Sequence, residues 1–240
     1  MSKPILFLFN GKVARVGGVA LGTYEAEPDP YNPLGLPELT IRVKYKSGSA
    51  GPTYSSWYKP NVTQVQGQSD VYDICTNDTT IGTNWEYLLQ MDSNRADLIE
   101  VLGANSTNVT SMFLLFDGCT SLEKVELFDT SSVTNFGSMF KGCRSLIESP
   151  LFDTSHASSM SQMFSNCTSL KYVPLFDTST VTEMYATFNS CVNVESGALA
   201  LYQQASLRES DIYHVGTFAN CGYNTVTGAA ELAQIPSGWK

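Results

Sequence analysis

Charge is scarce in this chain. Only 15% of its 240 residues are charged, and 14 basic side chains face 23 acidic ones for a net charge of −9. A phosphate-binding surface needs an excess of Lys and Arg, so nucleic acid is excluded as the partner. An anionic membrane surface is disfavoured for the same reason. Histidine is nearly absent, with His156 and His214 alone, and no two of the six cysteines form a C-x-x-C pair. A zinc site therefore has no ligand set. There is no P-loop, no G-x-G-x-x-G and no H-E-x-x-H. Neither histidine has a nearby nucleophile with a third orienting group, so no catalytic residues are assigned. The expectation is a non-enzymatic chain without cofactor or metal.

Long apolar runs are missing as well. None approaches the ~18 residues of a membrane span. The start, Met1-Ser-Lys-Pro-Ile-Leu-Phe-Leu-Phe9, holds one lysine and an apolar run of five residues. A secretory core needs ~7 to 15, so the run reads as part of the mature fold. Against these absences, 42% of the residues are hydrophobic, enough for a sizeable buried core.

What is abundant is repetition. Cys119, Cys143, Cys167 and Cys191 recur every 24 residues, and the same step carries Phe116 to Phe140, Phe164 and Phe188. It carries Leu122 to Leu146 and Leu170, then to Val194. Leu127-Phe-Asp-Thr-Ser131 returns as Leu151-Phe-Asp-Thr-Ser155 and Leu175-Phe-Asp-Thr-Ser179. Within a unit, Leu122, Val125 and Leu127 suit a very short strand, with Val125 and Leu127 facing one way. Pro150 and Pro174 share the intervening column with Glu126, which limits strands to two or three residues. Val133, Phe136, Met139 and Phe140 follow at helical spacing, so a short helix or 3₁₀ turn is expected in the second half of each unit. One unit cannot bury its apolar face alone; stacking creates a continuous core whose ends must be closed. Trp85, Leu88, Met91, Leu98 and Val101 fall on the repeat columns without the Phe and Cys, as a degenerate first coil. The next F-x-x-C, Phe218 to Cys221, comes 30 residues after the one before it. The insert over residues 197–207 has helical periodicity, and residues 227–235 read as a final helix stopped by Pro236.

The pattern F-D-T-S-x-V-T-x-M-x-x-M-F-x-x-C-x-S-L resembles the BspA-type leucine-rich repeats of bacterial surface proteins and mycoplasma lipoproteins. The resemblance covers roughly residues 85–221. It implies an α/β solenoid of about five coils with a β-rich N-terminal region and a helical C-terminal cap. It also implies adhesion or binding without enzymatic activity. The closing block, residues 197–240, is similar to the ends of repeat proteins common in gut bacteria and their phages.

The N-terminal third does not match the repeat. Residues 5–9 and 12–16 are strand-like and joined by Asn10-Gly11, a type I′ hairpin signal that Gly17-Gly18 ends. Residues 26–37 hold four prolines and read as an extended linker. Residues 38–45 and 71–75 alternate as strands expected to pair and dock on the first coil, with a Gly/Ser/Tyr-rich loop over 47–58 between them. The organisation is thus an N-terminal hairpin anchor over 1–25, a linker over 26–37 and a β-rich cap over 38–84. The repeats follow over 85–196, then the helical insert, last F-x-x-C coil and cap over 197–240.

Four features are candidate sites. The cysteine ladder could form disulfides between adjacent coils, bind metal or stay as buried thiols, and a small hydrophobe in every coil favours thiols. Asp129, Asp153 and Asp177, continued by Asn105, could hold calcium or cap turns, and capping is preferred. The Phe128, Phe152 and Phe176 stripe is either a binding stripe or core, and core is preferred. The core ladder consists of Phe116, Cys119, Leu122, Phe140, Cys143, Leu146, Phe164, Cys167, Leu170, Phe188, Cys191, Phe218 and Cys221. His156 occupies a variable, solvated column. The apolar strand Ile5, Leu6, Phe7, Leu8 and Phe9 is the candidate partner-binding segment, because an exposed edge of that kind invites strand addition.

A repeat of adhesin type on a chain with no evident export signal leads to a bacteriophage virion component, a tail or head appendage located in the virion. Its hairpin would dock to other virion or surface proteins and its solenoid would bind a host surface protein or glycan. Self-association into a homo-oligomer is a further option. The alternative is a bacterial cell-surface adhesin.

Overall fold

A computed structural model describes residues 31–55, 60–76 and 84–240, together with the backbone of two short strands near the N-terminus. Those strands, β1 (Arg15–Val16) and β2 (Val19–Ala20), pair antiparallel with Val16 opposite Val19. The hairpin expected between residues 5–9 and 12–16 lies outside the described residues. The partner-binding candidates Ile5, Leu6, Phe7, Leu8 and Phe9 lie outside the described residues.

Three strands of the N-terminal third join two from the following residues in a mixed five-stranded sheet. Its strands are β3 (Thr40–Tyr45), β4 (Asn61–Gln64), β5 (Val71–Cys75), β6 (Leu98–Asn105) and β7 (Lys124–Val125), in the order β4-β5-β3-β6-β7. Every pairing is antiparallel except β6–β7. The central β3 follows the expected alternation: Ile41, Val43 and Tyr45 are fully buried. On its other face Arg42 donates to both carboxylate oxygens of Asp73 at 2.6 and 2.7 Å. The expected pairing of 38–45 with 71–75 is present as β3–β5, whereas β4 had no sequence signal: its four residues are all exposed and carry no alternation. Residues 31–37, the end of the proline-rich stretch, lie against β6. Leu36 is buried, and its carbonyl accepts from Asn32 and Asn105.

The repeats join this sheet through β7 and continue from it as stacked 24-residue units in parallel register. Isolated parallel bridges link Ser111 to Asn135, Asn135 to Ser159, Ser159 to Glu183 and Glu183 to Tyr213. The expected short helix in each unit is absent. Residues 112–119 instead form successive turns in which the amides of Leu115, Asp117 and Cys119 donate three residues back. The alternate amides, Met112, Leu114, Phe116 and Gly118, donate to Asn135, Gly137, Met139 and Lys141 of the next unit. The pattern repeats through Phe140, Phe164 and Phe188. Every amide of the segment thus has a partner, half of them between units. A helix would keep all of its hydrogen bonds within one unit and leave the stack joined by side chains alone. The geometry needs a left-handed residue in each unit, and Leu114, Ser138, Gln162 and Ala186 all take φ between 52° and 59°. Such a conformation is strained for residues with a Cβ, so it persists only where the surrounding ladder over-determines it.

A second correction concerns the extended half of the unit. Leu122, Val125 and Phe128 are buried while Leu127 is 39% exposed, and in the equivalent column Leu151 and Leu175 are 62% and 54% exposed. Burial therefore recurs every third residue and not every second. A three-residue period is that of a polyproline-type chain, which needs no ladder donor and so accommodates Pro150 and Pro174.

Two short helices accompany the end of the stack, α1 (Ala198–Ala205) inserted before its last turns and α2 (Val226–Gln234) after them. Glu231 on α2 accepts from the backbone amides of Gly197 and Leu199 at 3.3 and 3.1 Å, capping α1 from outside. Gln204 on α1 donates to the Phe176 carbonyl at 2.8 Å. Trp239 closes the end of the stack, its carbonyl accepting from the Phe218 amide at 2.8 Å.

Candidate functional site

The interior of the stack is built of parallel columns, two of rings, one of leucine and one of cysteine. Phenylalanine rings run from Phe116 through Phe140, Phe164, Phe188 and Phe218 to Trp239, with neighbouring centroids 5.0 to 6.3 Å apart. The second ring column, Phe128, Phe152 and Phe176, is buried and packs against the first, so it is core and not a binding stripe. Trp85 meets Phe128 at the other end. Leu122, Leu146 and Leu170 are fully buried beside them.

The cysteine column consists of free thiols. Cys143, Cys167 and Cys191 point their sulfurs at the carbonyls of Phe116, Phe140 and Phe164 at 3.2, 3.0 and 3.0 Å. Burial in an apolar column pushes all of these thiols up, Cys143 and Cys191 well above their ordinary range. At the end of the stack Cys221 is raised to about 12. A thiol held protonated is neither a nucleophile nor a metal ligand, and its donor capacity is spent on the neighbouring unit. Cys75 lies off this column, in β5, and is partly exposed.

The aspartate column caps turns. Asp129, Asp153 and Asp177 accept from the amides of Ser131, Ser155 and Ser179 at 2.8 to 2.9 Å. Hydrogen bonds from Ser155 and Ser179 hold Asp153 and Asp177 below the usual carboxylate range. One residue on, Thr130 and Thr154 are buried and donate to the carbonyls of Asp153 and Asp177 at 3.0 and 2.9 Å. Among the described residues no group of three or more His, Cys, Asp or Glu could hold a metal ion. His156 is exposed. His214 stacks on Trp239 at 4.0 Å, with Glu209 beside both.

One polar centre had no sequence signal. Asp92 is fully buried and accepts from the Tyr45 hydroxyl at 2.5 Å, the Thr53 amide at 2.7 Å and the Asn94 amide at 2.9 Å. Burial raises its carboxyl above the usual range. The centre ties the sheet, the 47–55 loop and the first unit together. It is legible only once β3 is placed beside residues 85–97, because Tyr45 and Thr53 are 47 and 39 positions away in sequence.

What remains on the surface is an apolar row that the period-two reading had turned inward: Leu127, Leu151 and Leu175, with Ile147 and Tyr172 nearby in sequence, all exposed. On another stretch of the repeats Tyr185 and Tyr213 stack at 5.8 Å, both exposed. No helix among the described residues is long and apolar enough to cross a membrane.

Buried columns of this kind, with every titratable member either capped or held neutral, define a stacked-repeat protein whose polar side chains serve the stack. Residues 83–201 match the family described as "Mycoplasma protein of unknown function, DUF285", the mycoplasma repeat family that the F-D-T-S and F-x-x-C motifs resemble. The match spans the 24-residue repeats and the start of α1 and leaves the β3–β5 strands and residues 202–240 outside it. No curated protein and no solved structure matches the chain.

Proposed function

We propose that this chain is a non-enzymatic binding and display module, in which residues 85–221 form a leucine-rich-repeat-type solenoid of BspA character. The observation that carries the reading is the fate of the recurring side chains. Phenylalanines and cysteines are core, and aspartates and threonines hold turns and neighbouring units. Chemistry by these columns has no free group to work with, so what a partner meets is the exposed, varying residues between them. The preferred setting is a bacteriophage virion, where the chain serves as a tail or head appendage. Residues 1–25 dock it and the repeats face a host surface protein or glycan. The resemblance of residues 197–240 to repeat proteins of gut bacteria and their phages supports this setting. The family match over residues 83–201 favours a second reading, a bacterial cell-surface adhesin.

Mass spectrometry of purified virions against washed host envelopes separates the two. The virion reading expects the chain in the particles. Its presence only in the envelope overturns that reading in favour of the adhesin.

A further inference from the structure

On the face that carries β7, the backbone ladder between units is complete at both ends and broken in the middle. Between β6 and β7 the pairing Glu100↔Lys124 and Val101↔Val125 is flanked by Glu123 N–H to Ile99 O at 2.9 Å and Glu126 N–H to Val101 O at 3.0 Å. At the far end Glu195 N–H reaches Lys171 O at 2.7 Å and Val173 N–H reaches Ser196 O at 3.0 Å. One bond, Lys171 N–H to Ile147 O at 2.9 Å, joins the units between. Among the described residues no backbone hydrogen bond joins 123–126 to 147–150. By the register of the other units, Ile147 N–H belongs on Glu123 O. Pro150 has no N–H with which to rebuild the ladder from its side.

A cleft of about 590 Å³ opens at this break, lined by Val125, Leu127, Ile147 and Pro150. Its size falls in the ~300 to 1,000 Å³ range of ligand pockets. Three carboxylates also line it, Glu123, Glu126 and Glu148. The single cation, Lys124, is engaged by Glu126 and, at 3.5 Å, by Glu100. The cleft thus joins an unpaired stretch of backbone, exposed aliphatic side chains and an acidic rim. Together these demand a ligand with its own backbone donors and acceptors, aliphatic side chains and positive charge.

We propose that this cleft binds an extended peptide segment in which basic and aliphatic residues alternate. Its backbone takes up the unpaired groups of 147–149, its aliphatic side chains lie against Leu127 and Ile147, and its basic ones meet Glu123 and Glu148. Period-two alternation sends the two kinds of side chain to opposite sides of an extended peptide. The proposal deepens the reading of the chain as a binding module and rests on it.

The test uses the purified full chain and a fluorescein-labelled peptide, acetyl-Thr-Lys-Val-Lys-Val-Lys-Thr-amide, followed by anisotropy. Saturable binding is expected, with increased amide protection at residues 147–149 by hydrogen exchange. The exposed-site double variant Glu123→Lys/Glu148→Lys is expected to weaken binding by roughly tenfold or more, and higher salt to weaken it in the native chain. A peptide with glutamate for lysine, or one N-methylated at alternate amides, is expected not to bind. Absence of saturable binding, equal binding of the acidic or N-methylated peptide, or an unaffected double variant each overturns the proposal. A chain found on virions or envelopes that fails here retains its display role and loses only this site. A chain that binds the peptide but is found in neither location keeps the site and loses the display role.

Discussion

The sulfur of Cys167 lies 3.0 Å from the carbonyl oxygen of Phe140, one unit back, where it donates its proton. The contact explains why the column is cysteine and not alanine: a small apolar side chain fills the space, and its weak donor adds one more link between units. Thiol titration with an aromatic disulfide reagent is expected to detect Cys75 alone in the folded chain and all six thiols in denaturant. Rapid labelling of more than one thiol in the native state contradicts the buried column.

The same column sets a limit at alkaline pH. The folded-state values of Cys119, Cys143, Cys167, Cys191 and Cys221 are all raised by burial. For a group that loses a proton to become charged, a raised folded value favours the folded state while the group is neutral. This contribution is complete below the ordinary thiol value of 9.0 and lost as pH climbs from there toward about 12, the value for Cys221. Melting temperature should therefore fall steadily above pH 9, and less so in a Cys143→Ala/Cys167→Ala variant compared with its own value at pH 7. Parallel alkaline curves for the two proteins count against the thiols as the cause.

Asp92 offers a sharper case. Truncation to alanine strands the Tyr45 hydroxyl and the amides of Thr53 and Asn94 in a buried site, at about 1–3 kcal/mol per donor left unpaired. A loss of about 3 kcal/mol or more is expected by urea unfolding. Asparagine keeps an acceptor for the two amides and should lose less. Because burial raises the Asp92 carboxyl, its contribution is greatest at low pH and declines as pH rises through the raised value. The Asp92→Asn protein lacks this decline, so its stability relative to the native chain should improve from pH 3 to pH 7. A constant difference across that range rules out the titration of Asp92 as its origin.

The burial register of the extended segment is tested by neighbours. Leu151→Ser removes an exposed side chain and should change stability by no more than about 0.5 kcal/mol. Phe152→Ser removes a ring at 2% exposure, packed between Phe128 and Phe140, and should cost about 3 kcal/mol or more. Reversal of that order restores the period-two register.

Phe164 sits at the middle of the ring column, 5.3 Å from both Phe140 and Phe188. Phe164→Ala should cost about 3–5 kcal/mol and Phe164→Leu distinctly less, measured by the same unfolding curves. Equal losses would indicate that ring stacking and not filled volume dominates the column.

Most of the core was legible in the sequence because a 24-residue step repeats every buried column. Phe116, Cys119 and Leu122 and their equivalents were assigned without a structure, and all are buried. The failures share a physical cause. The positions Met112, Leu115, Phe116 and Cys119 have helical spacing, yet two interlocked turns with a left-handed residue give the same spacing of buried side chains. Periodicity alone cannot tell these apart. Leu127 and Phe128 are adjacent apolar residues, and choosing which is buried requires the period, which is three here and not two. Asp92 and β4 were invisible for a different reason. Tyr45 and Thr53 reach Asp92 from 47 and 39 positions away, while β4 pairs with the nearby β5 but exposes all four of its residues, so no local pattern announces either.

Trp239 carries a consequence for the history of the chain. Its carbonyl takes the Phe218 amide in the role that the next unit plays for Phe140 or Phe164, and its ring continues the phenylalanine column. Such an ending is a counterfeit repeat, indifferent to how many genuine ones precede it. Gene duplication can lengthen or shorten the array by whole 24-residue steps between Cys119 and Cys191 without redesigning either terminus. Reach, and the number of exposed rows offered to a partner, can therefore evolve separately from the machinery that makes the array fold.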